Sequence, residues 1–370
     1  MHSGTRITFI HPFIYKFARG IERYTMNLAT ALVHEGMDVS VLTWQMPEPV
    51  RWGEENRHVQ IISVPARRYF TSWFAFPSYI KSILRCKYNH ILIHFADYGE
   101  SQAFNILRLL RISVPYSVVL HFPYSQVPHR YHTLRSKGLF KHATNVIAVS
   151  AFVAEEARRF TNGTPIVISH GVDTVSFSPD SSAHSRLVAA LGLKKDARFL
   201  ITVSALEERK GVQWVLRALP ALLKLWSGLH YVVVGDGPYR EALQRLAVEI
   251  GVHANVHFLA ARTDTTTYYQ AAELMLILSR GEASSLVALE SLSCGTPVIA
   301  SRHRPFDELI RPEWGLQVDE ENTEEVIHAI SFLLNDPERR RSMGEAGREH
   351  ILAEHTWEHI AKQYMERVFT

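Results

Sequence analysis

The chain has 370 residues, 46% hydrophobic and 21% charged, with 40 Lys and Arg against 37 Asp and Glu for a net charge of +3. That is soluble globular composition, long enough for two hydrophobic cores, and the near-neutral balance argues against a nucleic-acid partner. Two cysteines, Cys86 and Cys294, form neither a disulfide framework nor a metal-ligand cluster.

The apolar run in "MHSGTRITFIHPFIYKF" is too short for a signal peptide, and no run of eighteen apolar residues follows. A cytoplasmic protein is expected, or one lying peripherally on the inner face of a membrane. Ile7–Ile10 reads as a buried strand. Ile21, Tyr24, Leu28, Ala31 and Leu32 then recur at helical spacing until Gly36. Val39–Thr43 is the next strand, and "VQIISV", "HILIHF", "YSVVLH", "NVIAVS" and "PIVISH" read as others. From Gly171 to Lys195 the pattern weakens as Ser, Asp and Pro collect, which predicts a linker. Alternation restarts with "FLITVS", a helix over Val212–Trp226, "HYVVVG", a helix over Tyr239–Ile250, "NVHFL", "ELMLIL", a helix containing Glu290, and "PVIAS". After Glu324 the tail reads as at least two helices. Trp357, Ile360, Tyr364 and Val368 share one face of the last. Strand-helix alternation predicts parallel sheets covered on both faces, hence two doubly wound α/β domains. In such sheets ligands bind beyond the carboxyl ends of the strands.

The motifs fall just there. In "SRGEASSLVALESLSCGTPVIAS", Glu282 follows a strand, Ser284 or Ser285 caps a helix, and Glu290 lies more than one turn into it before Gly295 ends it. A hydrolytic carboxylate pair sits roughly 5 to 9.5 Å apart, whereas eight helical residues alone rise about 12 Å. The two carboxylates suit the two ends of one elongated ligand, with a helix N-terminus between them for an anion. Taken by themselves they fit equally well a helix-capping Glu282 and a solvated Glu290. Lys210, with Arg209 beside it, follows the first strand of the second domain and is placed to neutralise a diphosphate; a lone Lys-Gly is more commonly a surface lysine. Gly235 and Gly237 in "VVVGDGPYREAL" allow close backbone approach, but the third glycine of a dinucleotide fingerprint is absent, which argues against an NAD site.

The Glu282–Ser301 segment, together with "VSALEERKG", "VVVGDGPYREALQRLA", "SHGVDTVSFSP" and "ARGIERYTMNLATALVHEGMDVSVLT", resembles the retaining glycosyltransferases of family 4. The resemblance spans nearly the whole chain. It implies a GT-B fold: two Rossmann-like domains facing across a cleft, with a C-terminal helix crossing back. Residues 1–172 plus 354–370 would form the acceptor-binding domain and residues 173–353 the nucleotide-sugar domain. Glu282 would hold hydroxyls of the donor sugar, Glu290 the ribose, and Lys210 the diphosphate, helped by backbone N–H groups around Ser285 and Leu286. Gly20 would let the first domain approach the phosphates, and His121 would face the donor sugar; a packed strand-end histidine is the alternative for His121.

The implied chemistry is transfer of a sugar from a nucleotide-diphosphate sugar to an acceptor hydroxyl, with retention at the anomeric carbon. It involves no protein nucleophile, no metal and no cofactor beyond the donor. An inactive nucleotide-sugar-binding protein and a sugar-nucleotide epimerase remain open alternatives. The sequence departs from the family in three places. Ala205 stands where a second phosphate-binding arginine is usual, which leaves Arg209 as a replacement; Arg19-Gly20 replaces a glycine pair; and "RHRPFDE" replaces a glycine-rich loop. Arg67–Lys87 mixes aromatic and basic residues and reads as a core-packing helix or as a peripheral membrane contact presenting a lipid-linked acceptor.

Overall fold

Parallel strand pairing organises both halves of the chain. The computed structural model describes residues 5–11, 20–44, 56–64, 80–81, 83–84, 88–94, 115–123, 134–159 and 161–369. Arg19, Cys86 and most of the Arg67–Lys87 segment lie outside them. Two units separate: Met1–Gly171 with Trp357–Thr370, and Val172–Thr356.

The first unit carries β1 (Arg6–Ile10), α1 (Gly20–His34), β2 (Asp38–Trp44), β3 (Gln60–Val64), β4 (His90–Ile93), β5 (Tyr116–Leu120), α2 (Leu134–His142), β6 (Asn145–Ala148), α3 (Ala151–Ala157) and β7 (Ile166–Val167). Its strands pair in the order β3-β2-β1-β4-β5-β6-β7. The order reverses direction between β1 and β4.

The second unit opens with α4 (Ala183–Leu191), inside the stretch expected to be a linker. The Asp180 carboxylate accepts from the Ser182 backbone N–H and hydroxyl ahead of this helix, and Gly192 closes it in the left-handed conformation at φ 66°. The Ser- and Asp-rich start hid it, because such residues favour caps as well as loops. Then come β8 (Arg198–Val203), α5 (Val212–Leu225), β9 (Leu229–Val234), α6 (Arg240–Glu249), β10 (Val256–Leu259), α7 (Thr266–Ala271), β11 (Leu274–Ile277), α8 (Leu286–Ser293), β12 (Val298–Ser301), α9 (Phe306–Leu309), β13 (Gly315–Val318), α10 (Thr323–Leu334) and α11 (Pro337–Glu354). The strand order is β10-β9-β8-β11-β12-β13, all parallel, with its reversal between β8 and β11. The strand β13 was not anticipated: it is four residues long, and Gln317 interrupts its apolar run.

Alternation along the strands builds two cores. Leu200, Tyr231, Val233, Leu274 and Leu276 face α5 and α10, while Phe199, Ile201, Val232, Val234, Met275 and Ile277 face α4, α7 and α8. The last helix, α12 (Trp357–Arg367), belongs to the first unit, where it packs on α1. Trp357, Ile360, Tyr364 and Val368 are buried, and the Tyr24 and Tyr364 hydroxyls share a buried hydrogen bond of 2.8 Å. Ile360→Ala should therefore destabilise the first unit by about 2–5 kcal/mol. Urea unfolding measures this; a loss below about 1 kcal/mol would mean that the helix is not docked in solution.

Candidate functional site

The strand-order reversal in the second sheet brings together the loops that follow β8 and β11. Such a switch point is where open α/β sheets take ligands. After β8 the chain makes one 3-10 turn over Glu208–Lys210, then Gly211 enters α5 at φ 74°. A side chain at Gly211 would place its first carbon 1.8 Å from the Leu278 carbonyl oxygen, so both the backbone conformation and the contact with the β11 loop require glycine. This contact delivers Lys210 to Glu282. The ammonium donates to Oε1 at 2.5 Å, and the Ser279 hydroxyl donates to the same oxygen at 2.7 Å. The two charged side chains are only 15% and 16% exposed. At that exposure solvent competes weakly, and removing one partner leaves the other charge poorly compensated.

Ser285 occupies the N-cap position of α8 in an extended conformation, but its hydroxyl does not cap; that oxygen is buried without a hydrogen-bond partner. The first N–H groups of α8, beginning at Leu286, have no acceptor within the helix and carry its positive dipole end. Glu290 lies one turn further on. Its Oε2 accepts a 2.8 Å hydrogen bond from Tyr269. Burial, and then the Glu290 charge, push the Tyr269 phenol well above its ordinary pKa, so it stays a donor. Tyr269 was missed in the sequence, where an aromatic in a helix reads as core. The nearby Cys294 thiol is pushed up to about 12, by burial first and then by Glu290.

Arg209 donates to the Glu207 carboxylate at 2.8 Å and to the Gly281 carbonyl at 3.3 Å. Its guanidinium thus reaches the Glu282 loop, although it already has a carboxylate partner; Ala205 is exposed. Gly235 (φ 152°) packs against protein: a side chain there would meet the Ser204 carbonyl oxygen at 1.8 Å. Arg240, another residue the sequence reading passed over, ties the ends of β9 and β10 together by donating to Gly235 O, Phe258 O and Asp236 Oδ1. Among the described residues no group of three or more His, Cys, Asp or Glu side chains is arranged to hold a metal ion.

Gly20 and His121 belong to the first unit. Gly20 is the exposed first residue of α1, and residues 12–19 before it lie outside the described set. His121 follows β5, buried in a row of imidazoles. Its ring stacks at 5.7 Å on His94 and at 5.9 Å on His170, and Tyr24 meets it edge-on at 4.8 Å. His94 Nδ1 lies 3.4 Å from His121 Nε2. Burial drives His94 and His121 well below the ordinary imidazole pKa, and takes His11 and His90 to about 4.

Comparison with known proteins bears on both units. The family model described as "Glycosyltransferase Family 4" matches residues 18–176, and that described as "Glycosyl transferases group 1" matches residues 185–350. The GDP-mannose-dependent alpha-(1-6)-phosphatidylinositol monomannoside mannosyltransferase of Mycolicibacterium smegmatis is 33% identical over 225 residues, 56% of this chain and 59% of that protein. An uncharacterized glycosyltransferase of Methanocaldococcus jannaschii is 26% identical over 93% of this chain and 92% of its own length. HepE of Anabaena, solved in complex with UDP and glucose, superposes with a TM-score of 0.81 over 99% of this chain and 100% of its own, at 18% identity. The chain spans between 52% and 64% of the length of the curated relatives it matches first.

The buried neutral histidines, His90 among them, predict acid sensitivity. An imidazole that is neutral in the folded state binds its proton only on unfolding, so stability is fully present above about pH 6.5 and falls as pH drops towards about 4. Each such group contributes up to about 1.4 kcal/mol per pH unit. Urea midpoints between pH 7.5 and 4.5 should fall, and His90→Gln should flatten the slope; a flat wild-type profile would contradict the buried neutral imidazoles.

Proposed function

This chain belongs to the family 4 glycosyltransferases of GT-B fold, and on that premise we propose that it transfers a sugar from a nucleotide-diphosphate sugar to an acceptor hydroxyl. The observation that carries this reading is the Lys210–Glu282 pair at the β8/β11 switch point, with the start of α8 and Glu290 next in the chain. One ammonium, one helix N-terminus and two carboxylates suit a ligand with an anionic centre and a polyhydroxyl group at each end.

In this reading Lys210 and the α8 N-terminus neutralise the diphosphate as the bond from the anomeric carbon to the phosphate oxygen breaks. Arg209 adds a second cation from the same turn. Glu282 takes sugar hydroxyls beside the reacting carbon while keeping its contact with Lys210. Glu290 takes ribose hydroxyls, its Oε2 held by Tyr269. The acceptor oxygen bonds to the anomeric carbon on the face the diphosphate leaves, and its proton goes to the departing diphosphate oxygen. That course retains configuration and needs neither a protein nucleophile nor a metal ion. Gly20 is assigned to phosphate approach and His121, as a neutral imidazole, to the donor sugar.

The named activity of the mycolicibacterial relative makes GDP-mannose the first donor to test and a lipid-borne hydroxyl the first acceptor. Peripheral association with a membrane surface goes with that acceptor. No helix among the described residues is long and apolar enough to cross a membrane.

A thermal-shift screen of nucleotide sugars tests the reading first. A donor at about a hundred times its dissociation constant should stabilise the protein by roughly 2.7 kcal/mol; no shift with any nucleotide sugar would refute the assignment. The two carboxylates should fail differently. Glu282→Gln should lower turnover more than about 100-fold with donor binding largely kept, whereas Glu290→Gln should weaken donor affinity about tenfold with less effect on turnover. Steady-state kinetics with calorimetric donor titration separates them.

A further inference from the structure

The basic loop "RHRPFDE" after β12, where family resemblance leads one to expect glycines, has a structural partner. Glu320, two residues beyond β13, is 2% exposed. Its Oε1 accepts from Arg280 Nε at 2.5 Å and lies 2.9 Å from His303 Nε2. Arg280 stands at the carboxyl end of β11, His303 at that of β12 and Glu320 at that of β13. These three strands are neighbours in the sheet. One carboxylate oxygen therefore joins three consecutive strand ends.

Arg280 extends the connection to a fourth strand. Its backbone N–H donates to the Arg209 carbonyl at 2.7 Å, in the turn after β8 that carries Lys210. Its guanidinium also reaches the exposed Glu321 carboxylate at 2.5 Å. Ser301 adds a parallel link by donating to the Ser279 carbonyl at 2.5 Å. Only Gly281, at φ 80°, separates Arg280 from Glu282. The other charged groups of the loop have their own partners: Arg302 pairs with Glu325 of α10 at 2.5 Å, and Arg304 with Asp307 and Glu308 at 3.7 Å.

We propose that Glu320 is a positioning residue for the donor site: by holding Arg280 and His303 on one oxygen, it sets the β11 loop where Glu282 meets Lys210. The functional consequence rests on the glycosyltransferase reading; the mechanical claim does not. A buried carboxylate is costly unless charged partners satisfy it, and Arg280 supplies that partner to Glu320. Burial pushes the Glu320 carboxyl up, but the Arg280 and His303 hydrogen bonds outweigh it and hold it below the ordinary carboxylate range. The Glu320 carboxyl is therefore ionised at neutral pH. Glutamine in its place keeps the shape and loses the charge that orients Arg280.

Two measurements on the full chain test this. Amide hydrogen exchange reads the loop without reference to activity: Glu320→Gln should speed exchange of the Arg280–Ala283 amides about tenfold, with α10 and α11 unchanged. Glu321→Gln should change it less than about twofold, because the Arg280–Glu320 bond remains. Turnover of GDP-mannose, or of whichever nucleotide sugar the screen returns, reads the consequence: Glu320→Gln should lower turnover about tenfold with donor binding largely kept, and less than about twofold further in a Glu282→Gln background, since it acts through Glu282. Unchanged exchange, or fully additive losses, would overturn the proposal. If Glu320→Gln does not fold, Arg280→Lys and His303→Gln give the same two readouts. Faster exchange in a protein that binds no nucleotide sugar would uphold the clamp and refute the function.

Discussion

An ammonium and a carboxylate 2.5 Å apart, 72 residues apart in sequence, can be held only by a scaffold that makes two non-consecutive strands neighbours. Parallel pairing of β8 with β11 is that scaffold. The register Leu274 to Leu200 and Met275 to Ile201 aligns the strands, so their carboxyl ends emerge on one edge. From there the loops have little freedom. Gly211 lies against the Leu278 carbonyl, Arg280 donates to the Arg209 carbonyl, and both contacts are backbone on backbone. Side chains set on such loops inherit the rigidity of the sheet, which is what a charge-stabilising site requires.

The charges around this pair follow one rule. Where a carboxylate is withdrawn from solvent, the structure supplies it with a donor: Lys210 and Ser279 for Glu282, Tyr269 for Glu290, Arg280 and His303 for Glu320. Uncompensated, each would cost several kcal/mol. Arg240 does the same for carbonyl groups at the ends of β9 and β10. The carboxyl edge of the second sheet thus carries paired polar groups next to two hydrophobic cores.

The first unit carries imidazoles at its polar edge. His11, His94, His121 and His170 lie at the carboxyl side of its sheet with Tyr24 against three of them, and burial keeps His11, His94 and His121 neutral. A neutral imidazole offers one donor and one acceptor without a net charge. The helix α12 packs on α1, and its Tyr364 meets Tyr24 through a buried hydrogen bond. The buried side chains of Trp357, Ile360, Tyr364 and Val368 thereby add to the core of the first unit.

The sequence alone determined the class of fold, most of the strands and the two segments that bear the candidate site. Short β-branched runs, 3.6-residue spacing and glycines at turns are local properties that each segment carries with it. The apolar face of α12 and the strand-loop-helix run around Glu282 and Glu290 were legible for that reason. The helix inside the Ser- and Asp-rich stretch was not, because cap and linker residues look alike, and β13 was too short and too polar to stand out. What only the tertiary structure decided is which distant residues meet. Lys210 on Glu282, Tyr269 on Glu290, Glu320 on Arg280 and His303, and Ser204 against Gly235 all depend on strand order, and strand order is set by packing across the whole sheet. No local pattern encodes it, since the same strands in another order would keep every periodicity and lose every one of these contacts.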